Sequence, residues 1–268
     1  MYDLLIIGGG PAGLSAAMTA RNRNLSVRVI CGGAADSALH KAGHVTNYPG
    51  VPDVSGPALL ETMTQQARGL GADILRERAL SAMPMGKTFG VSAGKEFVEG
   101  RALLLATGIA QRGTFPGETD YLGRGVSYCA TCDGMLYRGK RAAVIGLAAD
   151  APAEADFLRE IGCDVHYYDG KKHRFEIRGT ERADTLVVDG AAEPADVIFV
   201  LRAAFAADTL LPGLATEKGH IVVDEAFAAS IPGVFAAGDC TGAPYQIPAA
   251  VGEGNCAALS VVRWLRNA

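Results

Sequence analysis

A chain of 268 residues, 49% of them hydrophobic, is long enough to fold as two modest domains with a core each. A formal net charge of −4 and an aromatic content of 7% argue against a nucleic-acid binder, which needs a basic excess and stacking rings. No apolar run reaches the roughly 18 residues of a membrane span, and Asp3 with the glycines after it interrupts any leader-like stretch, so the expected location is the cytoplasm. Residues 2–7, YDLLII, form an apolar run that leads at once into Gly8, Gly10 and Gly13 and a small-residue helix, PAGLSAAMTARNR. LSVRVI at 25–30 supplies the next strand, and strand–helix–strand implies a parallel sheet. Residues 57–72, PALLETMTQQARGLGA, have Pro at the start and Gly near the end of an amphipathic helix. From 74 to 105 short alternating strands are separated by PMGK and SAGKE turns and end in RALLLAT, a meander before the return to the sheet.

A second β-α-β unit runs from KRAAVIG through a helix at 152–161 to DVHYYD. A polar stretch, DTLVVDG and ADVIFVL follow, then HIVVDEAFAASIPGVFAAGDC and a last helix, AAVGEGNCAALSVVRWL. The pattern predicts an α/β protein of two Rossmann-like, three-layer domains, the first interrupted by the second. The expected boundaries are 1–112 with 213–268 for the outer domain and 113–212 for the inserted one, with linkers near 113–118 and 210–219.

Gly8-Gly9-Gly10-Pro11-Ala12-Gly13 follows a strand and opens a helix, the context in which a G-x-G-x-x-G pattern carries meaning. Gly8 permits the tight turn, Gly10 lets backbone approach a pyrophosphate, and Gly13 lets helix and strand pack closely. The first-turn N–H groups, Ala12 among them, then face the phosphates. The next strand ends VICGG, without the acidic residue that holds a ribose. YCATCDG places Cys129 and Cys132 at the spacing of an opening and closing disulfide, where a helix N-terminus would favour the thiolate. Asp133, next door, is a candidate proton donor and acceptor. A zinc site would need a second pair of ligands, which the other four cysteines do not form, so no metal is expected. Cys31, Cys163, Cys240 and Cys256 read as small buried residues.

LLLATG at 103–108 and GVFAAGDC at 233–240 resemble the second and third signatures of flavoprotein disulfide reductases. With the first fingerprint, CATCDG and the Q-x-x-A-A-x-G-x-G segment from Gln246, all in order, nearly the whole chain resembles the low-molecular-weight thioredoxin reductases. The resemblance implies FAD in the outer domain, held by Gly8, Gly10, Pro11, Ala12, Gly13, Thr107, Gly108, Gly238, Asp239, Gln246 and Ile247. TNYPG at 46–50 is similar to the family's flavin-contacting loop and adds Asn47. It also implies a homodimer in which Cys132 exchanges with the flavin, Cys129 attacks the disulfide of thioredoxin, and Asp133 serves as acid and base.

The inserted domain departs from the family pattern. In GLAADAPAEADFL, Gly146 fills the first glycine position, but Ala148 and Ala151 stand in the second and third. The methyl of Ala148 is expected to stand where a pyrophosphate needs bare backbone, and Asp150 adds negative charge. After the next strand YYDGKKHR lacks an arginine pair, and Tyr245 replaces the arginine that ordinary members carry before Gln246. In these details the chain resembles the ferredoxin-dependent flavin thioredoxin reductases, which implies reduced ferredoxin as electron donor. Two alternatives stay open: an NADH- or NADPH-dependent reductase, with Asp169 on a ribose or Lys171 and Lys172 on a phosphate, and a flavin redox sensor that does not turn over. A second flavin in the inserted domain is a further open question. The run KKHRFEIRGTER is either a docking face for an acidic carrier or a solvated connection, and His40 and His44 have i, i+4 spacing on the flavin-side loop.

Overall fold

Tyr2–Ile7 forms β1, in which Leu4, Leu5 and Ile6 are fully buried, the pattern of a strand covered on both faces. α1 (Pro11–Arg21) opens on its proline, and β2 (Val27–Ile30) returns parallel to β1. α2 (Gly56–Gly69) is capped by Ser55, whose Oγ accepts the Ala58 N–H, and β3 (Asp73–Leu75) lies parallel to β2. β4 (Ala79–Met85), β5 (Thr88–Ala93) and β6 (Glu96–Leu105) form the expected antiparallel meander. The structure is a computed structural model and describes residues 1–34, 37–108, 115–128, 130–148, 151–202 and 207–267, except the side chains of Thr131 and Cys132.

The middle of the chain carries β7 (Val126–Ser127), α3 (Ala130–Asp133), β8 (Arg141–Gly146), α4 (Ala151–Glu160) and β9 (Asp164–Asp169). β10 (Phe175–Gly179), β11 (Ala183–Val188), β12 (Ala191–Pro194) and β13 (Val197–Leu201) complete it. The last part holds α5 (Ala207–Leu210), β14 (Thr216–Glu217), β15 (His220–Ile221), β16 (Val234–Ala236) and α6 (Ile247–Asn267). β14 and β15 pair with each other as a short hairpin.

The chain divides into two compact units, Met1–Ala110 with Ala204–Ala268, and Gln111–Ala203. The expected second boundary near 212 falls later than this division, because Leu210, Leu211 and Leu214 are buried and α5 packs on β4. Of the expected linker at 113–118, residues 113 and 114 lie outside the described residues, and Glu118 at its end is wholly buried in the second unit.

In the first unit the sheet order is β3-β2-β1-β6-β5-β4, with β16 paired to the far half of β6. Leu4, Ile6, Val27, Val29, Ala102, Leu104 and Phe235 point to one face, where α1, α2 and α6 cover them. In the second unit the parallel order is β7-β13-β8-β9. Alternate residues of β8 and β13 face opposite ways: Ala142, Val144, Val197 and Phe199 toward α4, Ala143, Ile145, Ile198 and Val200 toward β10 and β11. The second unit is thus a helix layer, a parallel sheet and an antiparallel meander, rather than a sheet with helices on both faces. The polar stretch after DVHYYD contains β10, whose Phe175 and Ile177 are buried among charged neighbours.

Candidate active site

Ligands of open parallel sheets bind outside the carboxyl ends of the strands. In the first unit Ile7 of β1 and Ala236 of β16 both pair with Leu105 of β6, so three strands end level. The segments that leave them hold Gly8 to Gly13, Thr107 with Gly108, and Gly238 with Asp239. The structure therefore brings three of the sequence signatures to one edge.

The three glycines differ in their surroundings. Gly8 has φ +121°, and a Cβ on it would lie 2.0 Å from the Ala106 carbonyl oxygen. A Cβ on Gly13 would lie 1.9 Å from the Gly8 oxygen, so helix and turn touch only because Gly13 is bare. Around Gly10 there is open space, with no atom within 4 Å of an added Cβ. Pro11 supplies no N–H at the first helical position, while the first-turn N–H groups behind it point out along the helix axis. Cys31 packs against Gly9, where a Cβ would stand 2.8 Å from its Sγ.

Asn47 and Gln246, distant in sequence, meet as Asn47 Nδ2 donates to Gln246 Oε1 at 2.8 Å, and Ile247 begins α6 directly after. Asp239 follows Gly238, whose φ is +83°, and burial and then the charge of Glu253 push its carboxyl above the usual carboxylate range. Cys240 lies wholly buried beneath this turn, donating toward the carbonyls of Leu105 and Ala237, and burial pushes its thiol up to about 11. Cys163 is buried too, but Cys31 is only partly covered and Cys256 is exposed on α6, so the expectation of four buried cysteines fails for Cys256 and is only partly met by Cys31.

The dithiol segment leaves the carboxyl end of β7. Cys129 lies outside the described residues, and Cys132 is placed by its backbone within the single turn of α3. Asp133 ends that turn, and Ser127 Oγ donates to Asp133 Oδ2 at 2.7 Å. The Ala130 N–H, at the start of α3, is 3.4 Å from Glu154 Oε2. A single turn with a carboxylate on its first amide offers a thiolate less help than the expected helix N-terminus would. Behind the segment, Arg202 and Glu118 form a buried two-pronged ion pair, with one arm at 2.8 Å. The guanidinium also lies over the rings of Phe115 and Tyr128, the residue before Cys129. Burial, reinforced by the Glu118 carboxylate, pushes the Tyr128 phenol up.

The turn after β8 is built unlike the one after β1. The N–H groups of Leu147 and Ala148 donate to the Leu201 carbonyl at 2.8 and 3.0 Å, so the strand ladder runs on through the turn. The Ala148 methyl is not aimed at an open ligand face, as expected, but packs in the core with Ala151, Ala155 and Leu158. The Tyr167 ring covers Gly146, where a Cβ would stand 2.2 Å from its hydroxyl oxygen. Asp150 lies outside the described residues. Asp169 accepts the Lys171 N–H at 3.0 Å and pairs with Lys172 at 3.2 Å.

Three of the six basic side chains of the run are matched by acids: His173 with Asp189, Arg178 with Glu176, and Lys172 with Asp169. His44 pairs with Asp53 in solvent, and Tyr245 stacks on His220 with a 2.9 Å hydrogen bond between them. Among the described residues no cluster of three or more His, Cys, Asp or Glu is gathered for a metal, and no helix is long and apolar enough to cross a membrane. Sequence reading missed Ser127, Glu118, Arg202 and Tyr167, which lie outside the glycine and cysteine signatures, and Glu253, which lies within the Q-x-x-A-A-x-G-x-G segment at a position that motif leaves open. The available signals were the adjacency of Ser127 and Tyr128 to the C-x-x-C and the place of Glu253 between Gly252 and Gly254.

The family model described as pyridine nucleotide-disulphide oxidoreductase matches residues 2–206 and 171–254. A thioredoxin reductase of Listeria innocua is 31% identical over 307 residues, spanning 100% of this chain and 95% of the relative. One of Aquifex aeolicus is 32% identical, spanning 99% and 94%. Among solved structures, a ferredoxin-flavin thioredoxin reductase from Clostridium acetobutylicum superposes with a TM-score of 0.92 at 35% identity, covering 99% of this chain and 98% of that one. A thioredoxin reductase from Gloeobacter violaceus gives 0.87 at 31%, covering 99% and 94%. Fold, strand-end signatures and these matches together place the chain in the pyridine nucleotide-disulphide oxidoreductase family, as a flavoprotein disulfide oxidoreductase of the low-molecular-weight thioredoxin reductase type.

Proposed function

We propose that this chain passes electrons from reduced ferredoxin through FAD and the Cys129/Cys132 dithiol to thioredoxin disulfide, as a cytoplasmic homodimer. The observation that carries the choice of donor is the closed turn after β8. A dinucleotide pyrophosphate is held by free backbone N–H groups at such a turn. Here the amides of Leu147 and Ala148 are spent on Leu201, the Ala148 methyl is core, and Tyr167 covers Gly146. Asp169, the residue left for a ribose, is engaged by Lys171 and Lys172. The likeness to a structure described as a ferredoxin-flavin thioredoxin reductase points the same way.

The first unit has the opposite character, and its residues fit FAD. The open space at Gly10, the bare contact of Gly8 with Gly13 and the unspent first-turn amides of α1 make a pyrophosphate cradle. Asp239 offers a carboxylate acceptor beside it, and the Asn47–Gln246 pair ties the loop at 46–50 to the start of α6. Bound there, FAD supplies a carrier that exchanges single electrons with an iron–sulfur protein and electron pairs with a disulfide. The residues of the chain then handle sulfur and protons. The Cys129 thiolate attacks one sulfur of the thioredoxin disulfide, and the other leaves as a thiolate that takes a proton. Cys132 attacks the mixed disulfide at Cys129, releasing reduced thioredoxin and closing the Cys129–Cys132 bond. Asp133, held by Ser127, exchanges the proton with Cys132.

Two results test this. Anaerobic addition of chemically reduced ferredoxin bleaches the flavin absorbance and leads to reduction of thioredoxin, whereas NADPH and NADH leave the spectrum unchanged over the same time. Rapid bleaching by either nucleotide would return the protein to the ordinary pyridine-nucleotide-dependent reductases. In the first unit, Gly13→Ala puts a methyl against the Gly8 oxygen, and flavin content after purification is expected to fall below about a tenth of wild type. Undiminished flavin in that variant would mean that the cofactor lies elsewhere.

A further inference from the structure

α6 brings a second carboxylate to the strand-end site of the first unit. Glu253 Oε2 accepts the Gly238 N–H at 2.7 Å and lies 3.3 Å from the Thr241 hydroxyl, which donates at 2.8 Å to the Gly238 carbonyl. The helix that presents it is fixed against α1. Ser15 Oγ donates to the Val251 carbonyl at 2.7 Å, and Gly254 sits so close to α1 that a Cβ would be 2.1 Å from the Ala12 oxygen. Gly238 itself touches α1, with an added Cβ 2.8 Å from that of Ala12. The turn that carries Asp239 is therefore pinned between two helices, and the pin on the α6 side is a charge-assisted hydrogen bond, stronger than a neutral one.

We propose that Glu253 is a positioning residue for the flavin: its carboxylate fixes the Gly238–Thr241 turn so that Asp239 faces the cofactor, and its charge sets how readily the bound flavin accepts electrons. The proposal rests on the reading of the first unit as the FAD site. Two carboxylates side by side make electron addition nearby costlier, so removing one charge eases reduction. That Glu253 and Asp239 feel each other is visible in the raised Asp239 carboxyl, to which the Glu253 charge contributes after burial.

Latch and charge are separable with two variants of the FAD-loaded protein. Glu253→Gln keeps an oxygen to accept the Gly238 N–H and loses the charge; Glu253→Ala loses both. FAD release, followed by the recovery of flavin fluorescence on dilution, and the flavin midpoint potential against a reference dye are the measurements. Glu253→Ala is expected to bind FAD about tenfold more weakly, while Glu253→Gln stays within about threefold of wild type. Glu253→Gln is expected to have a higher midpoint potential than wild type. Wild-type affinity in Glu253→Ala overturns the latch, and a wild-type potential in Glu253→Gln overturns the role of the charge. Because Glu253→Gln retains the hydrogen bond, it reports on the charge even where Glu253→Ala does not fold. A wild-type protein that takes up no FAD overturns the earlier reading, an outcome distinct from either of these.

Discussion

Serine at either position of the dithiol is expected to abolish thioredoxin reduction, by at least about a thousandfold, while leaving the flavin spectrum in place. The exchange needs one sulfur to attack and a second to resolve, so neither cysteine has a substitute among the remaining four. Cys163 and Cys240 are buried, and the Cys240 thiol, pushed up to about 11, stays protonated and inert near neutral pH. The two variants should fail differently. Cys132→Ser, pre-reduced, still attacks with Cys129 and accumulates a mixed disulfide with thioredoxin, seen as a larger species that dithiothreitol reverses. Cys129→Ser forms no such species. The double variant is no slower than either single one, because the residues act as a unit. Turnover above about a tenth of wild type in either single variant would mean that another thiol carries the exchange. A wild type that holds flavin and forms the disulfide but never turns over would favour the sensor reading.

How far the sequence speaks depends on what kind of physics a residue serves. Gly8, Gly10 and Gly13 were legible because they stand at fixed spacing in one strand–turn–helix, although the oxygen that excludes a Cβ on Gly8 belongs to the distant Ala106. Asn47 and Gln246 were legible only by resemblance, since their hydrogen bond joins positions 199 residues apart. Glu253 stands in the Q-x-x-A-A-x-G-x-G segment at a position that motif leaves open, and its partner, the Gly238 N–H, leaves no mark in a sequence. The turn after β8 was rightly read as altered, but for an incomplete reason. The Ala148 methyl packs in the core, the N–H groups of Leu147 and Ala148 carry the strand ladder on, and Tyr167 from β9 covers Gly146. A tyrosine that packs on a glycine of the neighbouring strand, with a whole helix between them in sequence, leaves no local pattern. β10 was missed because Phe175 and Ile177 alternate with charged residues in a stretch dominated by its basic composition.

Removing one side of the buried Arg202–Glu118 pair is expected to be the most destabilising single change in the second unit. Arg202 is 4% exposed and Glu118 not at all, so either charge, left alone, would be stranded away from water. Glu118 falls in an expected linker and Arg202 in no motif; Arg202 directly follows β13, which runs beside β7. For Arg202→Met or Glu118→Leu a loss of about 3–5 kcal/mol is expected, well above the value of an exposed pair. The double variant, Arg202→Met with Glu118→Leu, replaces two charges by apolar groups and should recover most of that loss. Urea unfolding of the four proteins measures the coupling directly. Single variants within about 1 kcal/mol of wild type, or a double variant that loses the sum of both, would sink the argument. The functional consequence is local. Arg202 lies over Tyr128, which precedes Cys129, so the single variants should lower thioredoxin turnover while the first unit keeps its flavin. Flavin content thus serves as the internal control that separates a loosened dithiol segment from a protein that has failed to fold at all.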